Sequence, residues 1–360
     1  METTNQLTAS PLVLSSSNKV SETKSNSRAP LLDVIQELNL SDVAIFTGAG
    51  VDPDGLACGL VMKAIVEKFG GKADIFYRGT FNRPQNKTVR EILGLNVKSY
   101  ADQDWKNPHY TAIISVDGPG EILPKGISPC IIIDHHKVGK PGTEGNDVRQ
   151  NGSCASILWE YAMAAEIDFS TDAGAILATA ICIGISTDTN NFKEEASTKL
   201  DSDAYAFCLN HKDYASFLSI LNYPKPPYYN DMYCYGWENK LKSETGTVLV
   251  SGLGPISEGR SGVISDLAEK YCETDGINTT MVLALVKDEM VGSMRSSNPS
   301  HDVNEYMKGF GGGGKRGAGA FRMKLPGITD GTDEEDRQRI FDAYFAIMAK
   351  KTFSFASDES

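Results

Sequence analysis

The sequence lacks any apolar run approaching the roughly 18 residues that a membrane-spanning helix requires. Its first 30 residues are rich in Ser, Thr and Asn, and they lack the charged start and long apolar stretch of a secretory signal. Residues 1–28 carry too little apolar surface to offset their ordering entropy, and they read as a disordered tail. No CxxC pair occurs. The seven cysteines (Cys58, Cys130, Cys154, Cys182, Cys208, Cys234 and Cys272) are scattered, and several stand inside apolar runs. Buried, reduced thiols of a cytoplasmic protein account for that pattern best. Basic charge is also short, with 35 Lys and Arg against 47 Asp and Glu and a net charge of −12. That balance argues against a general nucleic-acid binder, which needs a basic face. It leaves room for a short phosphorylated ligand in a locally positive pocket, and it suits divalent cations held by clustered carboxylates.

What is present reads as two domains, the natural division for 360 residues. From about 31 to 195, short apolar runs alternate with helical periodicity. Val43–Phe46, Ala73–Tyr77, Thr111–Val116 and Cys130–Ile133 read as strands. Gly55–Phe69, Thr88–Leu93, Ser156–Ala165 and Asp172–Ile185 read as helices. This alternation predicts an α/β fold with a parallel sheet covered on both faces. Residues 29–220 then form the first domain. The proline- and aromatic-rich stretch around LNYPKPPYYN places a linker at 221–235. A second, smaller α/β domain follows over 236–350, with a hairpin about Lys287-Asp288-Glu289 and a helix from 334 to 350. Residues 351–360 read as frayed.

The chemistry concentrates where apolar runs end in acidic residues. Asp52 and Asp54 follow the first strand, Asp117 the run 111–116, and Asp134 the run 131–133. Asp188 follows an apolar helix. In an open parallel sheet, functional groups collect beyond the carboxyl ends of the strands. An acidic residue after a strand is commonly a cap or turn former, and Asp-Pro-Asp-Gly alone reads as a turn. The pair His135-His136 directly after Asp134 is the stronger element, because the chain has only five histidines. So many carboxylates cannot share a pocket as free charges without raising their pKa values severely. Divalent cations resolve the conflict, and oxygen ligands with an imidazole suit Mn²⁺ or Mg²⁺ better than structural Zn²⁺. Two such ions would account for the number of ligands and would serve phosphoryl chemistry.

These residues resemble the motifs of the DHH phosphoesterases. Ile132-Ile-Asp134-His135-His136 is similar to the motif that names the family. Asp52-Pro-Asp54-Gly55 resembles its first motif in the form found in RecJ-type exonucleases. Ser115-Val-Asp117 resembles the second, and Gly184-Ile-Ser-Thr-Asp188 the fourth. Gly292-Ser-Met-Arg295-Ser296 and Phe310-Gly-Gly-Gly-Gly-Lys-Arg-Gly-Ala-Gly319 resemble the arginine-bearing strand and the polyglycine motif of the DHH-associated domain. The similarity runs over about residues 40–325. It implies that Asp52, Asp54, Asp117, His135 and Asp188 bind metal, with Asp117 bridging two ions. It implies that Asp134 orients a histidine and that His136 contacts the scissile phosphate or orients a ligand. Gly311, Gly312, Gly313, Gly314, Lys315, Arg316 and Arg295 would bind substrate, the glycine N–H groups cradling an anion or base. Two positions depart from the pattern. Gly50 stands where the first motif usually has His or Asp, and Lys315 where the polyglycine motif commonly has His.

The resemblance implies a metal-dependent phosphoesterase, a hydrolase acting on short oligonucleotides or nucleotide phosphates. Cyclic dinucleotides, polyphosphate and pyrophosphate are the alternative substrates. Neither a long nucleic acid nor a membrane is an expected partner, and a homodimer is compatible with the size of the chain. The departure at Gly50 keeps a second class open, a nucleotide-binding sensor that does not cleave.

Overall fold

The structure is a computed structural model and describes residues 29–49, 51–105, 109–118, 123–136 and 141–357. The tail at 1–28, Gly50 and residues 358–360 lie outside the described residues.

The first half contains α1 (Leu32–Glu37), β1 (Val43–Ala49), α2 (Pro53–Lys68), β2 (Ala73–Arg78), α3 (Pro84–Ile92), β3 (Val97–Ser99), β4 (Ala112–Val116), β5 (Ile131–Asp134) and β6 (Gly145–Val148). Four helices follow: α4 (Cys154–Ala164), α5 (Asp172–Asp188), α6 (Lys199–Leu209) and α7 (Tyr214–Leu221). The six strands pair in parallel in the order β3-β2-β1-β4-β5-β6. Their apolar runs are nearly continuous because the central strands are buried on both faces. Val43, Ile45, Ile114, Ile131 and Ile133 join one large core with α2, α4 and α5, while Phe46 and Phe76 form a smaller cluster with Leu123. The order of strands reverses between β1 and β4, and sheets of this order open a crevice there, beyond the carboxyl ends of the strands.

The second half contains α8 (Pro227–Glu238), β7 (Lys240–Lys242), β8 (Val248–Ile256), α9 (Val263–Cys272), β9 (Thr279–Val286), β10 (Glu289–Ser296), α10 (Val303–Lys308), β11 (Gly313–Lys315), β12 (Ala318–Lys324) and α11 (Glu334–Ser357). Its sheet is mixed, in the order β11-β12-β10-β9-β8-β7, with β8 and β9 parallel around α9. Residues of α8 and α9 pack in one core cluster, and residues of α10 and α11 in another. The hairpin turns at Lys287-Asp288 with Lys287 at φ 54.

Several elements differ from the sequence reading, among them the edge strands β3 and β6, which it did not contain. Much of 221–235 is helix, because Pro227 sits at the first helical position, where its missing N–H costs nothing. Tyr229 and Met232 then bury one face of that helix. Helix α11 runs to Ser357 rather than ending at 350, since Met348, Ala349 and Thr352 remain buried. Helix α5 continues through Asp188. The polyglycine stretch enters the sheet, with Gly313–Lys315 paired to β12. Among the cysteines, Cys234 is exposed, whereas Cys58, Cys154, Cys182 and Cys208 are buried, and all seven are free thiols.

Candidate metal centre at the sheet switch point

Each acidic side chain is delivered to the crevice by a distinct local device. Asp52 caps α2, its Oδ1 accepting the Gly55 N–H at 2.8 Å. Asp54 lies in the first turn of α2 and reaches the N-terminus of α4. The N–H of Cys154 donates to its Oδ2 (2.8 Å) and that of Ala155 to its Oδ1 (3.0 Å). Asp117 follows β4 in the left-handed backbone region at φ 53, a conformation that Asp tolerates better than most residues. Gly48, at the bulged end of β1, makes room for it. A Cβ on Gly48 would stand 2.1 Å from the Asp117 carbonyl oxygen. Asp188 arrives on the last turn of α5.

Histidines 135 and 136 leave β5 in different directions. The Nδ1 of His135 lies 2.9 Å from the Asn151 carbonyl oxygen, which can only accept. Nδ1 therefore carries the proton, and Nε2 presents its lone pair to the crevice. That Nε2 is 3.1 Å from Asp188 Oδ2 and 3.4 Å from Asp117 Oδ1. The ring of His136 is half-exposed, with Nδ1 2.9 Å from Asp134 Oδ1. The same Asp134 oxygen accepts the N–H groups of His135 (2.7 Å) and His136 (3.0 Å). The histidine that Asp134 orients is thus His136, and a backbone carbonyl orients His135.

The donor atoms converge. One atom each of Asp117, Asp134, His135 and His136 lie within 4.8 Å of one another, and so do one each of Asp54, His135 and Asp188. The two groups share His135. Three of these atoms, Asp117 Oδ1, His135 Nε2 and Asp188 Oδ2, are buried without a hydrogen-bond partner. Buried polar atoms ordinarily find partners. Burial, reinforced by the charges of Asp54 and Asp52, drives the Asp117 carboxyl well above the usual carboxylate range. Burial likewise pushes Asp54 up to about 7, with Asp188 adding to the rise. For Asp134 burial also acts upward, but the hydrogen bonds from His136 outweigh it and hold the carboxyl below its ordinary value. Carboxylates crowded this way, around an imidazole lone pair, fit a divalent cation of the Mn²⁺ or Mg²⁺ type.

The other predicted residues divide. Lys315 reaches the centre from β11, its Nζ 2.7 Å from Asp188 Oδ1. Asp52 stands at the exposed mouth of the crevice. Arg295 is engaged with its own strand, its Nη1 donating to Ser293 Oγ (3.1 Å) and the Met294 carbonyl (2.9 Å). Arg316 turns to the Pro299 carbonyl at 3.1 Å. Three of the glycine N–H groups expected to cradle substrate have partners within the second half. Gly311 N–H donates to Lys308 O and Gly312 N–H to Met307 O, closing α10, while Gly314 N–H donates to Asn304 Oδ1. Sequence reasoning missed Asn151, which sets His135, and Asn86, whose side chain donates to the Val51 carbonyl beside Asp52. It also missed Arg83, which crosses to the second half and pairs with Asp266 at 2.9 Å.

Fold and site together define an α/β protein with an acidic, histidine-bearing crevice at the switch point of a parallel sheet. No family model matches the chain. An uncharacterized protein of Methanocaldococcus jannaschii, MJ1633, is 30% identical over 335 residues, or 92% of this chain, and the chain spans 65% of that relative's length. The crystal structure of an exopolyphosphatase-related protein from Bacteroides fragilis superposes with a TM-score of 0.65 at 13% identity, covering 89% of this chain and 98% of that one. That likeness establishes a shared fold. Among the described residues, no helix is long and apolar enough to cross a membrane.

Proposed function

We propose that this chain is a DHH-type phosphoesterase that uses divalent cations, Mn²⁺ or Mg²⁺, to hydrolyse a short oligonucleotide or nucleotide phosphate. The observation that carries the reading is the convergence of Asp117 Oδ1, His135 Nε2 and Asp188 Oδ2, all buried and all without a hydrogen-bond partner. Asp52, Asp54, Asp117, His135 and Asp188 would hold the metal. Four carboxylates and one imidazole supply more donors than a single ion needs, and two ions would use them. When bound, the cations supply an activated water at neutral pH and neutralise charge on the phosphoryl group. The chain's own residues do the rest. Asp134 keeps His136 aligned through Nδ1, and the half-exposed ring would contact the scissile phosphate. Lys315 brings one positive charge to the same place. The net charge of −12 fits a small substrate better than a polynucleotide bound through many phosphates. Polyphosphate is the second reading, favoured by the fold shared with an exopolyphosphatase-related protein.

The test is release of mononucleotide from a 5′-labelled dinucleotide, with Mn²⁺ and then with EDTA. Metal-dependent release supports the proposal. If dinucleotides, nucleotide bisphosphates, cyclic dinucleotides and polyphosphate are all bound or ignored without hydrolysis, the phosphoesterase reading fails and a binding protein replaces it.

A further inference from the structure

Asp201, on α6, is fully buried and lies outside the cation-binding groups. Part of its hydrogen bonding is an ordinary helix cap. Its Oδ2 accepts the Thr198 N–H (2.8 Å) and hydroxyl (2.9 Å), completing a capping box at the start of α6. A capping box needs nothing more, yet Asp201 accepts from a second set of donors across the fold. Its Oδ1 takes the Asn151 amide (2.9 Å), the Ser153 N–H (3.1 Å), the Ser153 hydroxyl (3.1 Å) and the Ser156 hydroxyl. Its Oδ2 also takes the Gly152 N–H at 3.0 Å. The approach requires glycine there, since a Cβ on Gly152 would stand 2.7 Å from Asp201 Oδ2.

The segment held this way, 151–153, has two outputs into the crevice. The Asn151 carbonyl fixes the proton of His135 on Nδ1. Ser153 is the N-cap of α4, whose next two N–H groups, from Cys154 and Ala155, grip both oxygens of Asp54. One buried carboxylate thereby anchors the supports of two candidate ligands on different elements. We infer that Asp201 is a positioning residue for the metal centre, setting the imidazole of His135 and the carboxylate of Asp54 together through residues 151–155. This inference rests on the metal reading proposed above.

The test compares Asp201→Asn, Ser156→Ala and, as a control on the same helix, Cys208→Ala in the full chain. Asparagine keeps the shape of the side chain but turns an NH₂ toward groups that are themselves donors. Partners that orient ligands from behind typically contribute 10–100-fold to metal affinity. Titration with Mn²⁺ alone is expected to show Asp201→Asn weakened by about that factor. Ser156→Ala is expected to show a smaller loss, and Cys208→Ala a lower melting temperature with unchanged affinity. Two readouts need no metal, hydrogen exchange at the amides of Cys154 and Ala155 and the ¹⁵N spectrum of His135. Asp201→Asn should accelerate that exchange and shift His135 away from its Nδ1–H form. The assignment is overturned if Asp201→Asn lowers stability while leaving Mn²⁺ affinity, amide exchange and the His135 spectrum as in the parent, for Asp201 is then a helix cap alone. If the parent binds no Mn²⁺, the metal reading fails and the two metal-free readouts decide the role of Asp201. If Asp201→Asn does not fold, Ser156→Ala decides by the same measurements.

Discussion

Lys315 and Asp188 lie 127 residues apart in sequence, and the lysine Nζ donates to both the side-chain Oδ1 (2.7 Å) and the backbone carbonyl (3.0 Å) of the aspartate. A strand of the second half thus places a positive charge on a carboxylate of the candidate metal centre in the first. A cation entering the crevice competes with that ammonium for Asp188. For a partly exposed pair the competition amounts to about 0.2–1 kcal/mol. Lys315→Ala is therefore expected to tighten Mn²⁺ binding a few-fold while slowing hydrolysis, which calorimetric titration and a turnover assay would show side by side. Weaker Mn²⁺ binding in the variant would contradict the competition.

Stability of the metal-free protein should depend on pH in an unusual sense. The carboxyls of Asp54 and Asp117 have folded-state pKa values above their ordinary value, Asp54 at about 7. The native state therefore binds more protons than the unfolded state between about pH 4 and about 7. Stability falls as pH rises through that window. Added Mn²⁺ offsets the repulsion, so the slope should flatten. Thermal melts at pH 5 and pH 8, in EDTA and in Mn²⁺, measure this directly, and a metal-free protein that gains stability over that range would refute it.

The two adjacent histidines should separate by phenotype. His135→Gln removes a buried lone pair from the centre and should lose most bound Mn²⁺. His136→Gln leaves that lone pair in place, so Mn²⁺ content should persist while turnover falls by about 100-fold, in the range for losing one group that stabilises developing charge. Metal analysis paired with the kinetics distinguishes them.

Gly48→Ala should damage the centre through backbone alone. The added Cβ meets the Asp117 carbonyl oxygen at 2.1 Å. Overpacking of this kind costs about 1–3 kcal/mol. The urea midpoint should drop, and Mn²⁺ stoichiometry should drop with it because Asp117 has moved.

Residues adjacent in the chain were the readable part of the site. Asp134-His135-His136 shows itself in three consecutive letters, and strand-end acids such as Asp117 follow from where apolar runs stop. The parallel sheet of the first half was legible for the same reason, since buried strands of Val and Ile alternate with helical periodicity. Asn151 was not legible, because its contribution is a carbonyl oxygen that every residue type carries. Asp201 was not legible either, because both of its sets of donors come together only in the fold. The polyglycine stretch was legible only in part. Glycine announces freedom of approach but not what approaches, and here the neighbours are Met307, Lys308 and Asn304.

The two halves exchange charges in both directions. Arg83 of the first half pairs with Asp266 of the second, and Lys315 of the second pairs with Asp188 of the first. Each half therefore carries one plug and one socket of opposite sign. Swapping the two contact points would bring Arg83 against Lys315 and Asp266 against Asp188, like charge facing like. The two pairs together favour the register in which the second half meets the crevice.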